Sequence, residues 1–163
     1  VQKRLNQLAV KLDEIERNIK WPKVVKDAED ELTWAKKAVE RFGTEKDENI
    51  LEKLRTELSK ATELQNTKRI ADVVSKITQL KYKVLFAQPG YWVSILQNIN
   101  EHYDEVKWRN RAEARSLLNR GGEILATGQF SDEIKKIVIS LWDLMPESDQ
   151  EKSKIPRTDI LHY

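Results

Sequence analysis

Few side chains in this sequence are spaced as a reactive or metal-binding site requires. The predicted helical part of the chain holds one histidine, His102, which lies between Glu101 and Asp104. A zinc or di-metal site needs three or four converging ligands, and carboxylate sites in bundles need Glu-x-x-His pairs on facing helices. The chain has no cysteine, which excludes a thiolate nucleophile and a cysteine zinc site. We therefore expect no catalytic residue, no metal and no cofactor in this chain.

Clusters of carboxylates and a pair of glycines could also carry chemistry, but their positions favour structural roles. The acidic clusters at 27–31 and 45–48 fall where helices are predicted to begin, and the helix dipole stabilises negative charge there. Gly121-Gly122 has neither the preceding strand nor the following Lys-Ser/Thr of a phosphate-binding loop. We interpret the glycine pair as a point of close approach between helices, with a helix kink as the alternative.

A run of cationic residues over 107–120 is the best candidate for nucleic-acid binding. Trp108 lies within the run, and aromatic rings among cations can bind bases. Acidic residues such as Asp104 and Glu123 dilute the positive charge, and the formal net charge of the chain is only +2. A solvated helix face is therefore the favoured interpretation, and nucleic acid is not the expected partner. The cationic residues are Lys107, Arg109, Arg111, Arg115 and Arg120.

Five tryptophans are unusual in so polar a chain. Most lie near predicted helix ends, where a large ring can cover the seam between packed helices. Trp34 and Trp142 instead flank predicted core positions. Because exposed tryptophans are enriched at interfaces, these two residues are the candidate protein-interaction residues.

The composition predicts long amphipathic helices. The 163 residues include 5 glycines and 4 prolines, and 34% of the residues are charged. So few helix breakers with so much charge argue against a turn-rich β fold. We predict an all-α fold, an elongated antiparallel bundle of six to seven helices built from long hairpins. No stretch approaches the ~18 apolar residues of a membrane span, and the lack of cysteine agrees with a reducing, cytoplasmic compartment.

Apolar residues recur at alternating spacings of 3 and 4, which places them along one face of each predicted helix. In the first helix, this stripe is followed by Trp21-Pro22. Proline cannot donate a backbone hydrogen bond and disfavours a helical residue before it, so we predict that the helix ends there. The stripe consists of Leu5, Leu8, Leu12, Ile15 and Ile19.

The next helices are predicted to form a tight hairpin. The second helix ends at Gly43, and Thr44 with Asp47 is predicted to form a capping box for the third. Asn66-Thr67 is interpreted as a break before the fourth helix, with a kinked continuous helix as the alternative. Two helices joined by so short a connection must be antiparallel neighbours.

The second half of the chain contains three more predicted helices. Gln88-Pro89-Gly90 is the clearest turn in the sequence. Helical spacing then covers 91–106, 110–127 and 134–145, and Pro146 stops the last helix.

The predicted helical domain occupies residues 1–146, and the polar stretch 147–163 is predicted to be a C-terminal tail. The apolar residues of that tail are few, with Ile155 and Ile160 among them. The chain opens at Val1 already in helical rhythm, so we expect it to be a piece of a longer polypeptide.

Several motifs follow one another in an order that resembles a known family. Trp21-Pro22 comes after the heptad helix, Gln88-Pro89-Gly90-Tyr91-Trp92-Val93 joins two helices, and Leu141-Trp142-Asp143-Leu144-Met145-Pro146 closes the run. Between them lie Ala114-x-x-Leu117-x-x-x-Gly121 and Gly128-Gln129-Phe130. Through the predicted helical domain, this succession resembles the C-terminal helical region of DnaK-like heat-shock chaperones, the seventy-kilodalton class, in a divergent bacterial subgroup.

The resemblance implies a non-catalytic protein-interaction domain at the C-terminus of a chaperone. In that family an N-terminal ATPase domain binds nucleotide and a β-rich domain binds clients, so ATP binding would belong to a part that this chain does not contain. The implied partners are unfolded clients, co-chaperones or upstream domains of the same chain, with no membrane. Most positions that match the family pattern are implied to be structural: Trp21, Pro22, Pro89, Gly90, Trp92, Gly121, Trp142 and Pro146.

Two other functions stay open from the residues alone. The strict 3-4 stripes are also typical of a stand-alone helical scaffold or a coiled-coil oligomerisation module. The basic run 107–120 would suit a nucleic-acid-binding helical bundle.

Overall fold

The computed structural model describes residues 2–128 and 132–152, and within these ranges every regular element is a helix. The predicted all-α helical bundle is therefore confirmed. The helices are α1 Gln2–Phe42, α2 Glu45–Glu63, α3 Thr67–Phe86, α4 Pro89–Glu101, a 3-10 turn Tyr103–Glu105, α5 Arg111–Ala126, α6 Asp132–Leu144 and α7 Glu147–Lys152.

The chain divides into two compact units, Val1–Val84 (unit 1) and Leu85–Tyr163 (unit 2). Unit 1 contains α1, α2 and most of α3, and unit 2 contains α4 to α7. The predicted boundary between a helical domain and a tail at residue 146 stays a prediction.

Helix α1 is continuous through Pro22, so the predicted helix end at Trp21-Pro22 is wrong. A proline inside a helix removes one backbone hydrogen bond, here to the Asn18 carbonyl, and costs about 3 kcal/mol. Asn18 and Pro22 are both exposed, so water can hydrogen-bond the freed carbonyl. Trp21 and Val24 then pack against the core of unit 1, which holds the following turn in helical form.

The core of unit 1 forms where α2 and α3 pack against the second half of α1. Only Gly43 and Thr44 separate α1 from α2, so the two helices are antiparallel neighbours, as predicted. Helix α3 is tied to α1 by Glu31, whose Oε1 accepts hydrogen bonds from Thr78 Oγ1 at 2.7 Å and Lys81 Nζ at 2.6 Å. The residues of this core are Ala28, Ala35, Val39, Leu51, Leu54, Leu58, Ala61, Ile70, Val73, Ile77, Leu80 and Val84.

The predicted capping box at the start of α2 is confirmed. The Thr44 backbone N–H donates to Asp47 Oδ2 at 3.0 Å, and the Asp47 N–H donates to Thr44 Oγ1 at 3.3 Å. Asp47 is only 5% exposed, and Lys83 Nζ on α3 lies 3.1 Å from its Oδ1. This carboxylate therefore fixes both the start of α2 and the position of α3 beside it.

In unit 2, α4, α5 and α6 pack against one another around a second core. Asn110 caps α5 by accepting a hydrogen bond from the Glu113 N–H at 3.1 Å, and Gly128 follows the helix with a left-handed φ of 69°. The buried residues of these three helices are Trp92, Leu96, Ile99, Ala114, Leu118, Gly121, Ile134, Ile137, Val138 and Leu141.

Two predicted boundaries in unit 2 are wrong. Helix α4 ends at Glu101 instead of near residue 106, because the chain turns into a 3-10 segment in which the Tyr103 hydroxyl donates to the Arg111 carbonyl at 2.8 Å. The predicted turn at Gln88-Pro89-Gly90 lies one residue earlier, at Ala87 and Gln88. Pro89 is the first residue of α4, a position where its missing N–H has no intrahelical acceptor in any case.

The predicted tail begins with a helix. Pro146 stops α6, as predicted, and its carbonyl then accepts the N–H groups of Asp149 and Gln150, each at 3.0 Å, in the first turn of α7. The Gln150 side-chain amide also donates to the carbonyls of Trp142 and Met145, at 2.9 and 2.8 Å. The rest of the predicted tail, 153–163, lies outside the described residues.

We predict that Asp47→Asn destabilises the chain by on the order of 1 kcal/mol at neutral pH. The backbone hydrogen bond from Thr44 is the largest cause that lowers the pKa of Asp47, and Lys83 adds to it. A carboxylate with a lowered pKa stabilises the fold above its unfolded pKa of about 4, and this contribution is lost as the pH falls through the folded pKa. Urea unfolding near pH 7 and near pH 3 should therefore show a loss that shrinks in acid.

The matched control is Glu48→Gln, since Glu48 is an exposed carboxylate in the same helical turn. We expect this variant to unfold close to the wild type at neutral pH. If Asp47→Asn lowered the free energy of unfolding equally at both pH values, the charge of the Asp47 carboxylate would not be what stabilises the cap.

Candidate functional site

The most prominent surface of unit 1 is an exposed apolar stripe on the first half of α1. We call it the heptad face. Its five side chains are between 55% and 72% exposed, whereas Ala28, Ala35 and Val39 on the second half of the same helix are at most 3% exposed. The heptad face consists of Leu5 (57%), Leu8 (57%), Leu12 (60%), Ile15 (55%) and Ile19 (72%).

Helix lengths leave the first half of α1 without α2 as a neighbour. Helix α1 has 41 residues, and α2, which turns back along it after two residues, has 19. At the common rise of 1.5 Å per residue, α2 reaches back only to about residue 24 of α1. The first 20 residues of α1 therefore extend beyond the helix that packs against the rest of it.

The apolar side of α1 also changes face along the helix. At 100° per residue, the heptad face and the stripe Val25, Ala28, Leu32, Ala35 and Val39 point about 160° apart. After Pro22, the positions that continue the heptad spacing of this face are occupied by exposed polar residues. These residues are Lys26, Glu29, Thr33, Lys36 and Glu40. A longer α2 would not cover the heptad face, because it would lie on the other side of α1.

The heptad register places charged residues beside the apolar stripe. With Leu5, Leu12 and Ile19 at the a positions, Arg4 and Lys11 occupy g positions and are exposed. Val10 falls at an f position, on the side of the helix away from the stripe, and is 64% exposed. A narrow apolar stripe between charged flanks is the pattern of a coiled-coil seam.

The two tryptophans predicted to bind proteins lie in different units and in different settings. Trp34 is 64% exposed on α1, and Lys37 Nζ lies 5.3 Å from its ring centroid. Trp142 is half-buried on α6 and lines a groove of about 610 Å³ together with Ile99, His102 and Met145. The structure thus places Trp34 on an open surface and Trp142 at the edge of a groove.

Most other residues of the family pattern have structural surroundings. Trp21 is half-buried against the core of unit 1. Trp92 is 4% exposed, its Nε1 donates to the Phe86 carbonyl at 2.9 Å, and its ring lies 5.0 Å from that of Phe86. Gly90 has open space around it and shows no need for glycine. Gln129 and Phe130 lie outside the described residues.

The basic run 107–120 is largely engaged within unit 2. Trp108 stacks on Tyr103 at 5.5 Å and donates its Nε1–H to the Tyr103 carbonyl at 2.8 Å. The Arg115 guanidinium lies 3.7 Å from the centroid of the Tyr103 ring. Arg111 forms an ion pair with Asp104, and Arg120 forms one with Glu133. These contacts leave Trp108 poorly placed to stack on a nucleic-acid base, although Lys107 and Arg109 are exposed.

Titratable side chains do not converge on a chemical centre in the described part of the chain. His102 is exposed, and its Nδ1 lies 2.9 Å from the Asn98 carbonyl. Burial raises the pKa of Tyr91 to about 12, so its hydroxyl stays protonated near neutral pH. Across residues 2–128 and 132–152, no three histidine, aspartate or glutamate side chains group as metal ligands would. None of the described helices is both long enough and apolar enough to span a bilayer.

Comparisons of the chain with protein-family models, with curated proteins and with solved structures find no match. The resemblance to DnaK-like chaperones therefore stays a prediction that rests on the motifs of the sequence.

We predict that the two adjacent glycines of α5 respond oppositely to alanine. A Cβ on Gly122 meets open space, so Gly122→Ala should stabilise the chain by up to about 1 kcal/mol through helix propensity. A Cβ on Gly121 would lie 2.6 Å from Leu96 Cδ2, and Leu96 is only 3% exposed. Overpacking of this kind costs about 1–3 kcal/mol, so Gly121→Ala should destabilise.

Urea unfolding of the two variants measures the difference. In a Leu96→Ala background the clash is removed, and Gly121→Ala should then lose most of its penalty. Equal stabilisation by both glycine substitutions in the wild-type background would show that α4 and α5 do not approach as closely as described.

Proposed function

We propose that this chain is a non-catalytic protein-interaction domain that binds another helix through the heptad face. The observation that carries the proposal is the exposure of five Leu and Ile side chains in heptad spacing on a helix whose other half is held in a packed core. Burying the part of each side chain that is now exposed would contribute on the order of 1 kcal/mol per residue. A complementary helix laid along this face would therefore gain several kcal/mol from apolar contact alone.

The way α1 is anchored supports this function. The core of unit 1 holds α1 from Trp21 onward, so the heptad face projects from a fixed support as part of the same helix. An ordered helix loses less conformational entropy on binding than a disordered segment does. The packed second half of α1 thus holds the first half in a fixed position.

The motif order described above supports a wider setting for the domain. We propose that it follows the ATPase and client-binding parts of a DnaK-like chaperone, and that its partners are unfolded clients, co-chaperones or upstream domains. Hydrolysis of ATP by the chain on its own would contradict this placement. A nucleic-acid-binding function has less support, since Trp108 and three of the five cations in the basic run are engaged within unit 2.

Photo-cross-linking in cells that produce the chain tests the interaction function. A photoreactive amino acid replaces Leu8 on the heptad face in one variant and Val10 on the opposite side in another. The two positions are similarly exposed, at 57% and 64%, so a difference in adducts reports a partner and not accessibility. We expect protein adducts several-fold more abundant from position 8 than from position 10.

Equal adduct yields from the two positions, or no protein adduct from either, would contradict the proposal. Circular dichroism of both variants checks that the helical fold is retained, which is expected because neither side chain contributes to the core of unit 1.

A further inference from the structure

We propose that the partner of the heptad face is a second copy of this chain, in a parallel, in-register, two-stranded coiled coil over residues 5–19. The inference rests on the proposed function and names the partner. The shape of the stripe, the charges beside it and the point at which it stops all support a second copy.

The shape of the stripe suits an identical partner. Residues at alternating spacings of 3 and 4 form a seam in which each side chain fits between four residues of the facing helix. In a two-fold symmetric pair, each patch must be complementary to itself. The heptad face meets that condition, since large aliphatic side chains occupy every a and d position from Leu5 to Ile19.

The charges beside the stripe favour the parallel orientation. In a parallel pair, a g residue faces the e position of the next heptad on the other helix. Lys11 would then lie beside position 16 of the second copy, which is a glutamate, and Arg4 would lie beside position 9, an alanine. An antiparallel pair in the register that matches the apolar layers would instead bring Lys11 against Lys11 of the second copy, a repulsive contact.

The point at which the stripe stops also fits a short coiled coil. After Ile19 the heptad line passes through Pro22 and then through exposed polar residues such as Lys26 and Glu29. The apolar seam is therefore limited to residues 5–19, or roughly 22 Å of helix. A seam this short buries only five apolar side chains from each copy, so we expect the dimer to be reversible. The seam ends before the packed part of unit 1 begins.

Sedimentation equilibrium of the 163-residue chain tests whether the second copy binds. Over concentrations from about 1 μM to about 1 mM, we expect the mass to rise from that of the 19.1 kDa chain to twice that value. The double variant Leu8→Glu, Leu12→Glu should weaken the association by about 100-fold or more, because it buries charge in the seam. The matched control Val10→Glu adds one charge on the opposite side and should dimerise like the wild type.

Disulfide formation tests the orientation. The chain has no cysteine of its own, so a single introduced cysteine reports only contacts between copies. In the parallel pair, residue 5 faces residue 5, so Leu5→Cys and Ile15→Cys should each give a covalent dimer on mild oxidation. In the antiparallel pair, position 5 lies near position 15 and neither variant should link to itself. Val10→Cys, on the outer side, is the control that should stay unlinked.

Each outcome decides the proposal. A concentration-dependent dimer that the double glutamate variant disrupts, with self-linking at positions 5 and 15, supports it. A monomer at all concentrations overturns it, and if position 8 still gives adducts with other proteins in cells, the interaction function stands and only the second copy fails. The proposal is also overturned if the double glutamate variant dimerises like the wild type, if the dimer forms no disulfide at positions 5 and 15, or if the chain forms a larger oligomer.

Discussion

The length of α2 limits how much of α1 the fold can cover. A 19-residue helix that turns back after Gly43 and Thr44 can shield only the second half of a 41-residue helix. The contacts of unit 1 follow from this limit. The core runs from Ala28 to Val84, Glu31 joins α1 to α3, and Asp47 fixes the turn between the first two helices. The first half of α1 is left to extend past all of them.

The apolar stripe of α1 changes face at Pro22, and this change makes the first half of the helix a separate apolar surface. If the stripe had kept to one side of α1, its first half would be an extension of the core face. Instead the heptad face points about 160° away from the packed stripe. The fold of unit 1 and the binding of a partner therefore use different sides of one helix, so a partner can bind without disturbing the core. The same separation explains why substitutions at Leu8 and Leu12 are expected to change association and not folding.

Local sequence patterns predicted the elements well, and non-local contacts account for the errors. The capping box was predictable because Thr44 and Asp47 are three residues apart. The break before α3 was also predicted, and there Asn66 caps the helix, since its Oδ1 accepts the Arg69 N–H at 3.0 Å. The end of α4 was not predicted correctly, because it depends on a hydrogen bond from the Tyr103 hydroxyl to the Arg111 carbonyl, eight residues away. The continuity of α1 through Pro22 was missed because a local rule for proline was outweighed by the packing of the next turn.

The candidate site was predictable only in part. The 3-4 spacing identified the stripe, but spacing alone does not show which element covers it, and we expected it within the bundle. One signal in the sequence bears on its exposure, the shift of the apolar register between Ile19 and Val25. The exposure of Trp34 was predicted from its position beside the core stripe, and the structure places it at 64%.

Hydrogen exchange at two chain concentrations measures most directly whether the heptad face is a binding surface. We expect backbone amides of residues 5–19 to exchange more slowly in a concentrated solution than in a dilute one, since pairing protects this half of α1. Amides of residues 28–39, which the core already holds, should exchange equally in both and serve as the internal reference. Exchange over 5–19 that is independent of concentration would contradict the proposed pairing of this face.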